Sequence, residues 1–174
     1  PLFNDVGSAA EHVVPHVLNP LCSWSATLMN ALPPEIAAFD AAQRNTIELM
    51  RSVVGELALG MTERDVYDLA MDRAPEFGFS GWFAKPEVRF GGAKSMFHRA
   101  SDKRQLRKGT LVEIDLAPAT ENAFGDFATG LSFQTDEEPT VVTEAREACR
   151  ALCGFASRFK TVGELFVFVE SWAN

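Results

Sequence analysis

Histidine is scarce in this chain: three among 174 residues, and none after His98. That excludes a centre built on clustered histidines from everything beyond position 98. His12 and His16 have helical i, i+4 spacing, but Pro15 stands between them and no glutamate-bearing zinc motif accompanies them, so they are not read as ligands. Cysteine is as sparse, and an odd count of three in a chain without an export signal argues against a disulfide framework. Cys149 and Cys153 are expected to share a helix face with Leu152 and Ala156, packed as small apolar groups, since a soft-metal site would need further His or Cys nearby. Long apolar runs are missing too. The longest candidate, Leu165 to Val169, falls far short of the roughly 18 residues of a membrane span, and no basic, apolar, small-residue leader opens the chain. The expectation is a cytoplasmic protein without a membrane segment. Positive charge is in deficit, 16 Lys and Arg against 24 Asp and Glu, a formal net charge of −8. Nucleic-acid binding, which needs clustered cations to neutralise phosphates, is excluded. The basic run Lys103 to Lys108 reads as a solvated turn before a strand.

Apolar residues, by contrast, are plentiful at 47%, enough at this length for one sizeable core. Residues 1–34 read as irregular, because Pro15, Pro20, Pro33 and Pro34 interrupt any long helix. From Glu35 to Leu59 the residues Ile36, Phe39, Ile47, Met50, Val54 and Leu57 recur near helical period, Pro34 suits a helix start, and Gly60 ends it. Thr62-Glu63-Arg64-Asp65 approximates a capping box and opens a second helix, which Pro75 closes. The aromatic passage Phe77 to Phe90 suits a strand pair ending at Gly91-Gly92, with its aromatics in the core. Pro139 to Phe159 reads as an amphipathic helix with Val142, Ala145, Cys149, Leu152 and Phe159 inward. Thr161 and Glu164 have the spacing of an N-cap and N3 pair, which makes Glu164 a capping residue.

The chemistry-bearing feature is a pair of aspartates eleven residues apart on a predicted β-hairpin, Asp115 and Asp126. Alternation along the first arm places Val112, Ile114 and Leu116 on one face, and Glu113 and Asp115 on the other. On the second arm Phe127, Leu131 and Phe133 are apolar-facing and Asp126 is opposite. With a loop Ala119-Thr120-Glu121-Asn122, symmetric about Thr120 and Glu121, Asp115 would lie directly across from Asp126 and Ile114 across from Phe127. Like charges so placed repel. Either they share a proton, or a hard divalent cation lies between them, or the polar face is simply wet.

Upstream, His98-Arg99-Ala100-Ser101-Asp102 leads through Leu106-Arg107-Lys108-Gly109-Thr110 into Leu111-Val112-Glu113-Ile114-Asp115, and Phe124-Gly125-Asp126 follows. This order and spacing, seventeen residues from His98 to Asp115 and eleven more to Asp126, resembles the M24 metallopeptidases, which include methionyl aminopeptidase, aminopeptidase P and prolidase. The spacings look closest to the aminopeptidase P branch, and the Gly60-Met61-Thr62-Glu63 junction is similar to one in the family. The resemblance runs from about Ala41 to the C-terminus.

It implies an α/β (α+β) pita-bread-like domain, incomplete here, with flanking helices and the two aspartates on an antiparallel hairpin. Residues 1–34 would precede it, and 35–174 would be the N-terminal portion of the catalytic domain. By the resemblance, Asp115 is a metal ligand, Asp126 bridges two metals, and His98 is a catalytic residue that contacts substrate. The implied cofactors are two divalent ions, Mn, Co, Zn or Fe. The implied activity is hydrolysis of a peptide substrate, of aminopeptidase or Xaa-Pro type. Two departures stand out. Thr129 occupies a position where the family often has Arg or Lys, and no His or later Glu pair completes the metal site. A shortened, non-catalytic relative that binds peptides or proteins is therefore the rival expectation, and a homo-oligomer supplying the missing ligands is a third.

Overall fold

A computed structural model describes residues 33–92, 99–135, 139–155 and 158–173. They fall into two compact units, divided between positions 135 and 139. The first unit opens with helix α1, Pro34–Gly55, whose proline at the first turn costs no hydrogen bond because the amides there have no helical partner. α1 ends four residues before the Leu59 expected from the periodicity, and its buried stripe is Ala42, Thr46, Leu49, Met50, Val53 and Val54. Ile36 and Phe39, expected on the buried stripe, lie at the surface on the first turns.

Helix α2, Glu63–Arg73, has the predicted cap. The Thr62 hydroxyl accepts from the Asp65 amide at 3.1 Å, and the Asp65 carboxylate accepts from the Thr62 amide at 2.7 Å. Val66 and Ala70 face the core, and a 3-10 turn, Ala74–Phe77, ends at Gly78, whose φ of 83° favours glycine.

The passage expected to hold a strand pair is one strand, β1, Gly81–Phe90. β1 pairs antiparallel with β2, Leu111–Ala119, which pairs antiparallel with β3, Phe127–Ser132, in the order β1-β2-β3. The pairing of β1 with β2 slips twice, between Trp82 and Ala84 and between Ala84 and Glu87. These bulges accommodate Pro86, which has no amide to give a ladder. They also re-aim Phe83, which is 68% exposed instead of buried.

Val88, Phe90, Val112, Ile114, Leu116, Leu131 and Phe133 close the core with Leu49, Met50, Val53, Val66 and Ala70 of the helices. Each fully buried Leu or Ile contributes about 1.5–3 kcal/mol. The segment entering β2 is docked on the turn between the helices: the Leu106 amide donates to the Met61 carbonyl at 2.7 Å, and the Gly60 amide to the Leu106 carbonyl at 2.9 Å. Glu63, fully buried, ties three pieces together. Its carboxylate accepts from the Phe90 amide at 2.9 Å, the Ser101 amide at 2.8 Å and the Arg104 guanidinium at 3.4 Å.

The second unit holds helices α3, Thr140–Phe155, and α4, Val162–Ala173. Phe155 and Phe159 pack against Phe168, with ring centroids 5.7 Å and 5.2 Å apart. The Thr161 hydroxyl accepts from the Glu164 amide at 3.2 Å, so Glu164 sits in a capping turn as its spacing predicts. Val142 is buried, but Ala145, Cys149 and Cys153 are exposed, contrary to the expectation that they point inward. A two-helix unit has too few neighbours to cover the whole stripe. Val162, Phe166 and Val167 of α4 are 60% exposed or more. Among the described residues no helix is long and apolar enough to cross a membrane.

Candidate metal centre

The alternation of β2 is as the sequence dictates. Val112, Ile114 and Leu116 are at most 1% exposed, and Asp115 lies on the opposite, solvent-facing side. The register of the hairpin is not as expected. Asp115 faces Ala128, Leu116 faces Phe127 and Ile114 faces Thr129, and a further bridge joins Ala119 to Phe124. The ladder turns about Glu121 and Asn122, one residue later than predicted.

The cause is the side chain of Thr120. Its hydroxyl accepts from the Ala123 amide at 3.1 Å and donates to the Ala123 carbonyl at 3.0 Å, while the Thr120 amide donates to the same carbonyl at 2.8 Å. A Thr120–Ala123 turn is closed by its own threonine. The pairing thereby slips by two residues, which preserves the face. Asp126, immediately before β3, shares the face of Asp115 on the diagonal, a relation that typically spans about 7–8 Å.

Helix α1 holds Asp126 in place through its backbone. The Gln43 amide group donates to the Asp126 carbonyl at 2.8 Å and accepts from the Asp126 amide at 2.9 Å. One residue earlier, Gly125 lies so close to α1 that a Cβ would stand 2.1 Å from the Thr46 hydroxyl and 2.7 Å from the Ala42 carbonyl. The Gly125 amide donates to the Pro118 carbonyl at 3.1 Å. Phe124 stacks on Phe83, centroids 4.2 Å apart, and meets Phe39 edge-on at 5.4 Å. The segment Phe124-Gly125-Asp126 is thus held by residues of α1, β1 and β2.

The open face of the sheet is charged. Glu87 is opposite Asp115, and Arg89 is opposite Glu113. Arg89 pairs with Glu87 and, at 3.7 Å, with Glu113. The Asp115 carboxyl is pushed above the usual carboxylate range, first by its partial desolvation, then by the negative charges of Asp126 and Glu87, with Arg89 opposing. The charge of Asp126 is thus felt at Asp115, and a cation between the two would relieve it.

In donor chemistry the pair fits a hard divalent cation, which takes carboxylate oxygen, but two side chains do not fill its coordination. Among the described residues no group of three or more His, Cys, Asp or Glu is arranged to hold a metal ion. His98 lies outside the described residues. Thr129 sits within β3 opposite Ile114. Sequence reasoning missed Gln43 and the buried carboxylate of Glu63. Gln43 carries no signal in a polar helix position, and Glu63 reads as an ordinary first-turn acid.

Comparison with known proteins follows the same lines. The model of metallopeptidase family M24 matches residues 37–169. Among solved structures, the X-Pro aminopeptidase from Thermotoga maritima MSB8 superposes with a TM-score of 0.56 at 20% identity, over 70% of this chain and 35% of that one. The dipeptidase PepE from Mycobacterium ulcerans does so with a TM-score of 0.55 at 25% identity, over 71% and 33%. The prolidase from Pyrococcus horikoshii OT3 does so with a TM-score of 0.61 at 17% identity, over 81% and 41%. The matched part of the chain thus spans roughly a third to two fifths of these proteins. No curated protein matches the chain.

Proposed function

From a chain that belongs to metallopeptidase family M24, with the mixed α/β architecture of part of a pita-bread domain, we propose the N-terminal portion of a metal-dependent peptidase of aminopeptidase or Xaa-Pro type. In this reading residues 35–174 belong to the catalytic domain and 1–34 precede it. Asp115 and Asp126 hold two divalent ions, drawn from Mn, Co, Zn or Fe. Such ions, when bound, lower the pKa of water and polarise a carbonyl oxygen. His98 contacts the peptide and donates a hydrogen bond where negative charge develops.

The observation that carries the reading is the shared face of Asp115 and Asp126, with the Asp115 carboxyl raised by desolvation and by the charge of Asp126, and the Asp126 backbone held by Gln43. The contribution of this chain is preorganisation. Gln43 and Gly125 fix the backbone around Asp126, β2 fixes Asp115 one strand away, and neither has to be ordered when a ligand arrives. A cytoplasmic setting belongs to the same reading.

The test is Mn(II) binding followed by electron paramagnetic resonance. The chain should sequester Mn(II), and Asp126→Asn should lose at least tenfold in affinity; equal affinity in the two would sink the site assignment. A second reading, a non-catalytic relative that binds a peptide or protein, is favoured by the missing third ligand among the described residues. Mn(II) bound only when a second copy or a longer chain is present would instead place the remaining ligands on that partner.

A further inference from the structure

On the reading of Asp115 and Asp126 as metal ligands, we propose that Arg89 is a positioning residue that decides which carboxylates of the open sheet face hold the metal. By engaging Glu87 and Glu113 it withholds Glu87 from the cation and leaves Asp126 as the partner of Asp115.

Glu87-Val88-Arg89 on β1 and Glu113-Ile114-Asp115 on β2 alternate, so their charged side chains share the open face while Val88 and Ile114 are buried. The antiparallel register sets Glu87 across from Asp115 and Arg89 across from Glu113. Directly opposed residues have Cβ atoms about 4.5–5.5 Å apart, against roughly 7–8 Å for the diagonal that relates Asp115 to Asp126. By spacing alone, Glu87 is the better placed of the two to share a hard cation with Asp115. On its other side β2 meets Ala128 and Gly130 of β3, which bring no carboxylate.

Arg89 removes Glu87 from that competition. Its Nη2 pairs with Glu87 and its Nη1 lies 3.7 Å from Glu113, so one planar guanidinium serves a carboxylate on each strand. The Arg89 side chain is only 23% exposed, which screens these pairs less than open surface contacts. To ligate a metal, Glu87 would have to give up its pair, and the ion it took would sit beside the guanidinium and be repelled. Asp126, immediately before β3, lies on the side of β2 away from β1 and escapes that repulsion. The charges of Glu87 and Arg89 both reach the Asp115 carboxyl.

The full chain is titrated with Mn(II), and the free ion is read by electron paramagnetic resonance. Arg89→Met and Arg89→Gln, two neutral replacements, should each bind Mn(II) at least tenfold more tightly than the parent, or show binding where the parent has none, because Glu87 becomes available to the ion. Adding Glu87→Gln to either should cancel the gain. Adding Glu113→Gln, which removes the same charge two residues along β2 from Asp115, should leave most of it. Neutral variants that bind no better than the parent overturn the role of Arg89, and so do equal losses from the two glutamine changes, which would mean a bulk effect of charge. The aspartate pair is judged separately. Asp126→Asn without effect on a parent that binds Mn(II) sinks that pair, while a tenfold loss there, beside equal losses from Glu87→Gln and Glu113→Gln, sinks the role of Arg89 alone.

Discussion

Replacing Gly125 by alanine probes the coupling between the helix layer and Asp126. The added methyl would stand 2.1 Å from the Thr46 hydroxyl, 2.7 Å from the Ala42 carbonyl and 2.9 Å from the Thr46 Cβ. The hydroxyl alone could rotate away. The carbonyl cannot, because it belongs to the backbone of α1 and accepts from that same Thr46 hydroxyl at 2.9 Å. Either α1 or the Gly125 backbone must move. Forcing a methyl into such packing costs about 1–3 kcal/mol, and the rigid carbonyl puts this site in the upper half of that range. For a chain of this size, about 2–3 kcal/mol corresponds to a fall in Tm of roughly 4–12 °C. Because Gly125 adjoins Asp126, whose amide and carbonyl are both held by Gln43, the same shift should weaken metal binding. Thr46→Ala should rescue Gly125→Ala only in part, since the Ala42 carbonyl and the residue 46 Cβ remain in the way. Calorimetric melts of the three variants test this. A Gly125→Ala chain that melts within 1 °C of the parent, or complete rescue by Thr46→Ala, would refute the close approach.

Glu63→Ala should cost about 2–6 kcal/mol in urea unfolding, at about 1–3 kcal/mol for each of the stranded Phe90 and Ser101 amides, with little added by the half-exposed Arg104; a loss under 1 kcal/mol would contradict the clamp. Thr62→Ala should cost about 1 kcal/mol through the lost cap on α2. The Asp65 carboxyl is held below its usual range by the Thr62 amide and hydroxyl, so its contribution is present above the unfolded pKa of about 3.9 and is lost as pH falls through the lower folded value. Thr62→Ala removes only the hydroxyl's share, because the amide of residue 62 still donates to Asp65, and should therefore flatten the acid limb of a stability–pH curve only in part. Asp115 has the opposite sign: its folded pKa is raised, so in metal-free protein stability declines as pH climbs from the unfolded pKa through the folded one, and the penalty persists above. Asp115→Asn should remove that decline, making metal-free protein more stable than the parent at neutral pH, as urea titrations at two pH values would show.

The face of each aspartate was legible in the sequence because side-chain alternation is insensitive to a two-residue slip. The register was not, because it depends on the Thr120 hydroxyl closing its own turn, and nothing in the apolar pattern of either arm distinguishes the two pairings. The α2 cap could be read off Thr62 and Asp65, since capping is local. Cys149 and Cys153 were misplaced because periodicity reports which residues line a stripe, and only the neighbours of the helix decide how much of that stripe is covered. Phe83 was misplaced for a related reason: alternation assumes an unbroken ladder, and the bulges around Pro86 break it. Glu63 and Gln43 act across long sequence separations, on Phe90, Ser101 and Asp126, which no local pattern encodes.

The central claim is that Asp115 and Asp126 are built to hold divalent metal. It is tested most directly by dialysing the purified chain against a mixture of Mn, Co and Zn, removing unbound ions, and measuring bound metal by elemental analysis beside an Asp115→Ala, Asp126→Ala double variant. Stoichiometric metal in the parent, lost in the variant, is the predicted result. Equal metal in both would contradict it, as would a parent that takes up none even when a longer chain supplies further ligands.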